Sequence, residues 1–239
     1  MKKILFSKVF LLIFASLSFA SAQAEEAAKA GPGAKTEINV RDIQPSDVIQ
    51  GKADAPVTII EYASLTCPHC AGFHANVLPE LQTRYIDTGI VRYVFRHFPL
   101  DEPALRASML VECGGSEHHH RLLATLFKTQ TSWAGKKDYR TILENIGKLA
   151  GLTGEQINVC FNNKELETRL VEQKIHAAQQ LQIQATPSFV INGLMHAGAK
   201  PVSYFIAAIE KARPSAQQPA AGTTAGSKES VEKPASPAP

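Results

Sequence analysis

Val57-Thr58-Ile59-Ile60-Glu61-Tyr62, followed shortly by Cys67-Pro68-His69-Cys70, is the stretch on which the reading of this chain turns. The β-branched run after Pro56 reads as a buried strand. A helix is predicted to start at Cys67 and to carry Phe73, Val77, Leu81 and Tyr85 on one face, with a kink at Pro79 and an end at Gly89. Ile90 to Phe95 forms a second strand, which makes residues 57–95 a β-α-β unit with parallel neighbours. Signals from Ala104 to about Leu181 are helical. Gly151 closes one helix, Thr153 and Gln156 supply a capping box for the next, and Leu166, Leu170, Ile175 and Leu181 mark a long amphipathic one. Strands return at Ser188 to Ile191 and at Leu194 to Ala197. Asn192-Gly193 is the hairpin turn between them, and a closing helix runs from Val202 to about Lys211. The predicted fold class is α/β, a small mixed sheet split by an all-helical insertion over about 101–181.

The ends of the chain read differently. Lys2 and Lys3, the apolar stretch Val9 to Phe19 and the triplet Ala20-Ser21-Ala22 form an export signal over residues 1–22. That apolar stretch is 11 residues long, whereas a spanning helix needs roughly 20. Cleavage after about Ala22 and stay outside the cytoplasm are expected, with no stable membrane insertion. Residues 23–36 read as a linker and 214–239, rich in Pro, Ala and Ser, as a disordered tail, which leaves 37–213 as the folded domain. Without the signal the chain has 22 basic and 22 acidic residues, so it offers no electrostatic footprint for nucleic acid.

The chemistry concentrates in the cysteines. Cys67 opens a helix, where unpaired N–H groups and the macrodipole favour a thiolate. Pro68 suits the first turn, and His69 adds a donor or partial positive charge. A stabilised thiolate makes the Cys67–Cys70 disulfide more oxidising. A structural disulfide or half of a zinc site is the bland alternative, although zinc would require a second closely spaced pair. Glu61, six residues before Cys67, interrupts an apolar strand. If it points beneath the helix, its carboxyl should have a raised pKa and exchange a proton with Cys70. Cys113 and Cys160 are left over. In an oxidising compartment they most simply pair, as a structural disulfide. His118-His119-His120 reads as a solvated helix start rather than a metal site, because successive helical residues point about 100° apart. His97 and Trp133 read as packing residues. No metal or cofactor is expected.

Glu61, Cys67-Pro68-His69-Cys70 and Ala185-Thr186-Pro187-Ser188-Phe189 together resemble the DsbA-like thiol–disulfide oxidoreductases of the thioredoxin superfamily, over about Val57 to Lys211. The resemblance implies a thioredoxin-like sheet with a helical insertion, Cys67 as nucleophile and Cys70 as resolving cysteine. It implies that Pro187 is cis and faces them, with Thr186 and Pro187 binding substrate. The implied activity is oxidation of reduced, unfolded exported proteins in the periplasm, with reoxidation by a membrane quinone-linked partner. Thr186 stands where the well-studied oxidases of the family carry Val, and Thr is found there in isomerase-like branches and in some variant DsbA-like proteins, which keeps an isomerase or reductase as the alternative.

Overall fold

The central strand is what its composition requires: Val57–Ala63 lies in the middle of a sheet with covered faces, and every residue but one is buried. The computed structural model describes residues 42–214; the export signal, the linker and all but the first residue of the tail lie outside these. The elements in chain order are β1 (Ile49–Gln50), β2 (Val57–Ala63), α1 (Pro68–Asn76), α2 (Leu78–Leu81), β3 (Val91–His97) and α3 (Glu102–Cys113). They continue with α4 (Gly115–Lys128), α5 (Gln130–Trp133), α6 (Tyr139–Leu149), α7 (Gly154–Phe161), α8 (Lys164–Leu181), β4 (Ser188–Ile191), β5 (Leu194–Ala197) and α9 (Val202–Ala212). The five strands are ordered β1-β3-β2-β4-β5. β2 and β3 are parallel, and the remaining pairs are antiparallel. This is a thioredoxin-like mixed sheet with a helical insertion, α3 to α8, between β3 and β4. Among the described residues no helix is long and apolar enough to cross a membrane.

Strand alternation sorts the core into two faces. Val57, Ile59, Ala63, Val91, Tyr93, Phe95 and Phe189 pack with Phe73 of α1 and Phe205 of α9. Ile60, Tyr62, Val94 and Val190 pack on the other side with Ala177 and Leu181 of α8. Glu61 has the parity of Ile59 and Ala63, so it faces α1. Its register partners are Phe95 and Phe189, and it is fully buried.

Local departures from the sequence reading have physical causes. Phe73, Val77, Leu81 and Tyr85 are all buried on one side, but the helix is interrupted at Val77, where φ is −116°. Pro79 lacks the N–H a continuous helix would use, and its ring crowds the preceding turn. A π-helical turn over Gln82–Ile86 then absorbs the register change before Gly89, which sits at φ +78°. β3 runs two residues further than its apolar pattern. It carries Arg96, whose guanidinium reaches Asp47 and the Tyr62 hydroxyl. β1 is only two residues long and carries no periodicity, so it is legible only from its pairing with β3. In α8, Leu166, Leu170 and Leu181 face inward as expected, but Ile175 is 46% exposed and Ala177 takes its place in the core. The capping box of Thr153 and Gln156 closes in both directions. Asn192 and Gly193 have positive φ values of 42° and 81°, as the hairpin's turn demands.

Candidate active site

Cys67 caps α1 in extended conformation, with Pro68 at the first helical position. The strand-to-helix junction thus turns the sulfur toward the free N–H groups of the first turn. The Cys67 side chain is only slightly exposed and Cys70 is fully buried; both are free thiols. The Cys67 thiol donates to the Thr186 carbonyl at 3.3 Å. The Thr186–Pro187 bond is cis, so the loop before β4 meets the start of α1 across 119 residues of sequence. Thr186 and Pro187 are themselves buried. The Thr186 carbonyl is therefore occupied by Cys67 while the thiol is protonated.

The environment separates the two thiols. The Cys67 pKa is lowered to about 5, chiefly because Cys70 donates to its thiolate. Burial opposes this, while the Thr186 side chain and the backbone N–H groups of Cys70 and His69 assist it. Cys70 is pushed upward by that same bond to Cys67, by burial and by the Glu61 charge. At neutral pH one sulfur is a nucleophile and the other holds its proton. The His69 contribution differs from that read in the sequence. It comes through the backbone N–H, and the side chain stands exposed, with no hydrogen bond among the described residues.

Thr186 has a second polar atom to offer. Its hydroxyl is buried and lacks a partner within ordinary hydrogen-bond geometry. A thiolate cannot donate to the Thr186 carbonyl, but it can accept from this hydroxyl. Thr186→Val, similar in shape, should therefore raise the Cys67 pKa by about one unit, since a hydrogen bond to a charged group is worth ~1.5 kcal/mol or somewhat more. Thiolate absorbance titration of the reduced variant checks this. An unchanged midpoint would remove Thr186 from the account.

Three residues that the sequence reading omits complete the site. The Tyr93 hydroxyl donates to Glu61 Oε2, and His74 Nε2 lies 2.9 Å from the same oxygen. Glu61 Oε1 is buried without a partner. His74 sits one helical turn beyond Cys70, an i, i+4 spacing that would have placed it on the Cys70 face. Nothing local marks Tyr93, which reaches Glu61 only through strand pairing. Gln130 of α5 donates to the carbonyls of Leu65 and Cys67 at 2.8 and 3.0 Å, tying the redox loop to the helical insertion.

The remaining sequence candidates lie elsewhere. Cys113, closing α3, and Cys160 of α7 form a disulfide with Cα atoms 6.0 Å apart. The histidine triplet requires a correction. His119 is buried rather than solvated, with its ring centroid 6.2 Å from that of His97. The triplet begins one turn into α4, where the residue between two half-exposed neighbours must face inward. Burial lowers the His119 pKa to about 4. Among the described residues no cluster of His, Cys, Asp or Glu could hold a metal ion. Trp133 is fully buried and donates to the Leu126 carbonyl.

A dithiol at a helix start, split in pKa and faced by a cis proline loop, on a thioredoxin-like sheet with a helical insertion, defines the class of DsbA-like proteins. Comparison with known proteins agrees. A family model described as thioredoxin matches residues 44–211. The crystal structure of Wolbachia pipientis alpha-DsbA1 superposes with a TM-score of 0.67 at 38% identity, covering 71% of this chain and 92% of that one. A Rickettsia bellii protein named "Putative protein-disulfide oxidoreductase" is 33% identical over 76% of this chain and 70% of its own length. Of four further Rickettsia proteins of the same name the chain spans 56 to 61%. Oxidised BdbD of Bacillus subtilis shares the fold, with a TM-score of 0.63 at 24% identity over 70% of this chain and 92% of that one. The chain belongs to the DsbA-like thiol–disulfide oxidoreductases of the thioredoxin superfamily.

Proposed function

We propose that this protein is an exported dithiol oxidase that introduces disulfides into reduced, unfolded proteins in the periplasm. The observation that carries the reading is the split between the two thiols, with Cys67 near 5 and Cys70 displaced upward. A substrate thiolate attacks Cys67 Sγ of the disulfide form, and Cys70 leaves as the thiol once it takes up a proton. A second substrate thiolate then attacks the substrate sulfur of the mixed disulfide. Oxidised substrate departs, and Cys67 is released as the stabilised thiolate. That stability makes Cys67 a good leaving group and the disulfide an oxidant.

The Thr186 loop supports a role in holding an extended substrate. Once Cys67 is in a disulfide, the Thr186 carbonyl loses its donor and is open to a backbone N–H of the substrate, as in strand addition. Backbone pairing does not read side chains, which suits a broad substrate range. Export follows from the reading of residues 1–22, and family resemblance supports reoxidation by a quinone-linked membrane protein.

Thiol trapping in intact cells tests the direction of the reaction. Acid quenching followed by alkylation should find Cys67 and Cys70 mostly as the disulfide. A mostly reduced pair would instead assign an isomerase or reductase.

A further inference from the structure

Reoxidation of the dithiol has a proton problem that the two cysteines do not solve by themselves. Cys70 is fully buried and holds its proton, yet it must become a thiolate to attack Cys67 in a mixed disulfide. Glu61 is near enough for its charge to act on Cys70, but it too is fully buried. A proton accepted there needs a way out.

His74 is placed to supply one. On one side its Nε2 meets Glu61 Oε2 at 2.9 Å. On the other its ring lines an open groove of about 720 Å³, walled by Ala71, Ala75, Leu78 and Phe127, with Lys128 at its edge. The His74 side chain is 8% exposed, against 0% for Glu61. Its orientation is fixed by stacking on Phe127, with ring centroids 4.0 Å apart, and by edge contacts with Phe73 and Phe95. The ionisable groups around it are Glu61 from β2, Tyr93 from β3 through the shared carboxylate, and Lys128 from α4.

We propose that His74 is the proton outlet of the dithiol, connecting Glu61 to solvent through this groove; the proposal rests on the oxidase reading above. The step starts from the Glu61–His74 ion pair, whose Oε2 and Nε2 lie 2.9 Å apart. With oxidised glutathione as the disulfide, the Cys67 thiolate attacks one glutathione sulfur and expels the other as thiolate. The Cys70 proton passes to Glu61 Oε1, the oxygen without a partner, while the ring nitrogen not bonded to Glu61 gives a proton to groove water. The Cys70 thiolate then attacks Cys67 Sγ and expels the second glutathione thiolate. Two electrons have moved from the dithiol to glutathione disulfide, and one proton has left through His74. Substrate oxidation runs the same proton path inward.

Single-turnover reaction of the reduced protein with oxidised glutathione, quenched in acid and alkylated, resolves the two steps. The first uses a thiolate already formed, so it serves as the internal reference. In His74→Gln, which keeps a side-chain donor but does not titrate, the second step should fall about a hundredfold relative to the first, the lower end of general acid–base contributions. In His74→Ala, free imidazole should enter the groove and restore the second step, with no effect on the unmodified protein. A ratio within twofold of the unmodified protein, equal slowing of both steps, or absence of imidazole rescue would overturn the assignment. Failure of the unmodified protein to close its mixed disulfide at all would instead overturn the oxidase reading on which it rests.

Discussion

Titrated by thiolate absorbance, the reduced protein should show one cysteine ionising near pH 5 and no second ionisation across the neutral range. This is a large displacement from the usual value of 9.0, and it is the one that falls within a readily titrated range. Alkylation rate is a poorer measure of it. At pH 6 Cys67 has a few hundred times the thiolate of an ordinary cysteine, but a low-pKa thiolate is intrinsically less nucleophilic, leaving a net excess of roughly tenfold. The cause can be dissected. The Cys70 thiol is the main donor to the Cys67 thiolate, so Cys70→Ala should raise the midpoint, while Cys70→Ser, whose hydroxyl still donates, should retain most of the shift. Equal midpoints in the two variants would show that the helix start, not Cys70, sets the value.

The same shift makes stability depend on redox state and pH. Because the folded pKa lies below the unfolded one, ionisation of Cys67 stabilises the reduced protein fully above pH 9. The contribution shrinks below that and vanishes as pH falls through 5. At pH 7 it is worth about 3 kcal/mol. The disulfide form has no such thiolate, and the Cys70 thiol, the other group present only in the reduced form, keeps its proton throughout this range. In urea unfolding, the reduced protein should therefore lose about 3 kcal/mol relative to the oxidised one between pH 7 and pH 4. A constant difference would contradict the lowered Cys67 pKa.

Cys113→Ser with Cys160→Ser should cost roughly 4 kcal/mol of stability, the chain-entropy value for freeing a loop of this length. The bridge spans 47 positions and joins α3 to α7 beside Met109, Leu166 and Leu170. Its loss loosens the helical insertion, which holds the redox loop through Gln130. Because the sheet and α1 retain their own core, exchange through Cys67 and Cys70 should persist at low temperature. Denaturant unfolding of the oxidised protein with and without the bridge measures the cost. Unchanged stability would mean that packing of the insertion suffices by itself.

What the sequence determined by itself is local. The β-branched run at 57–62, the helix start at Cys67, the capping box at Thr153 and the Asn192-Gly193 turn each follow from a few neighbouring residues. Each could therefore be placed without knowing what surrounds it. Even the inward aim of Glu61 is a matter of strand parity. The tertiary structure decided whatever depends on residues far apart in the chain. It chose the partners of Glu61, His74 from the following helix and Tyr93 from the adjoining strand. It brought Thr186 to Cys67, clamped the redox loop with Gln130, buried His119 against His97 and paired a two-residue β1. The physical reason is that a pKa and a proton path are set by charges, donors and excluded water within a few ångströms. Periodicity shows which face of an element is covered, but only packing fixes which atoms cover it.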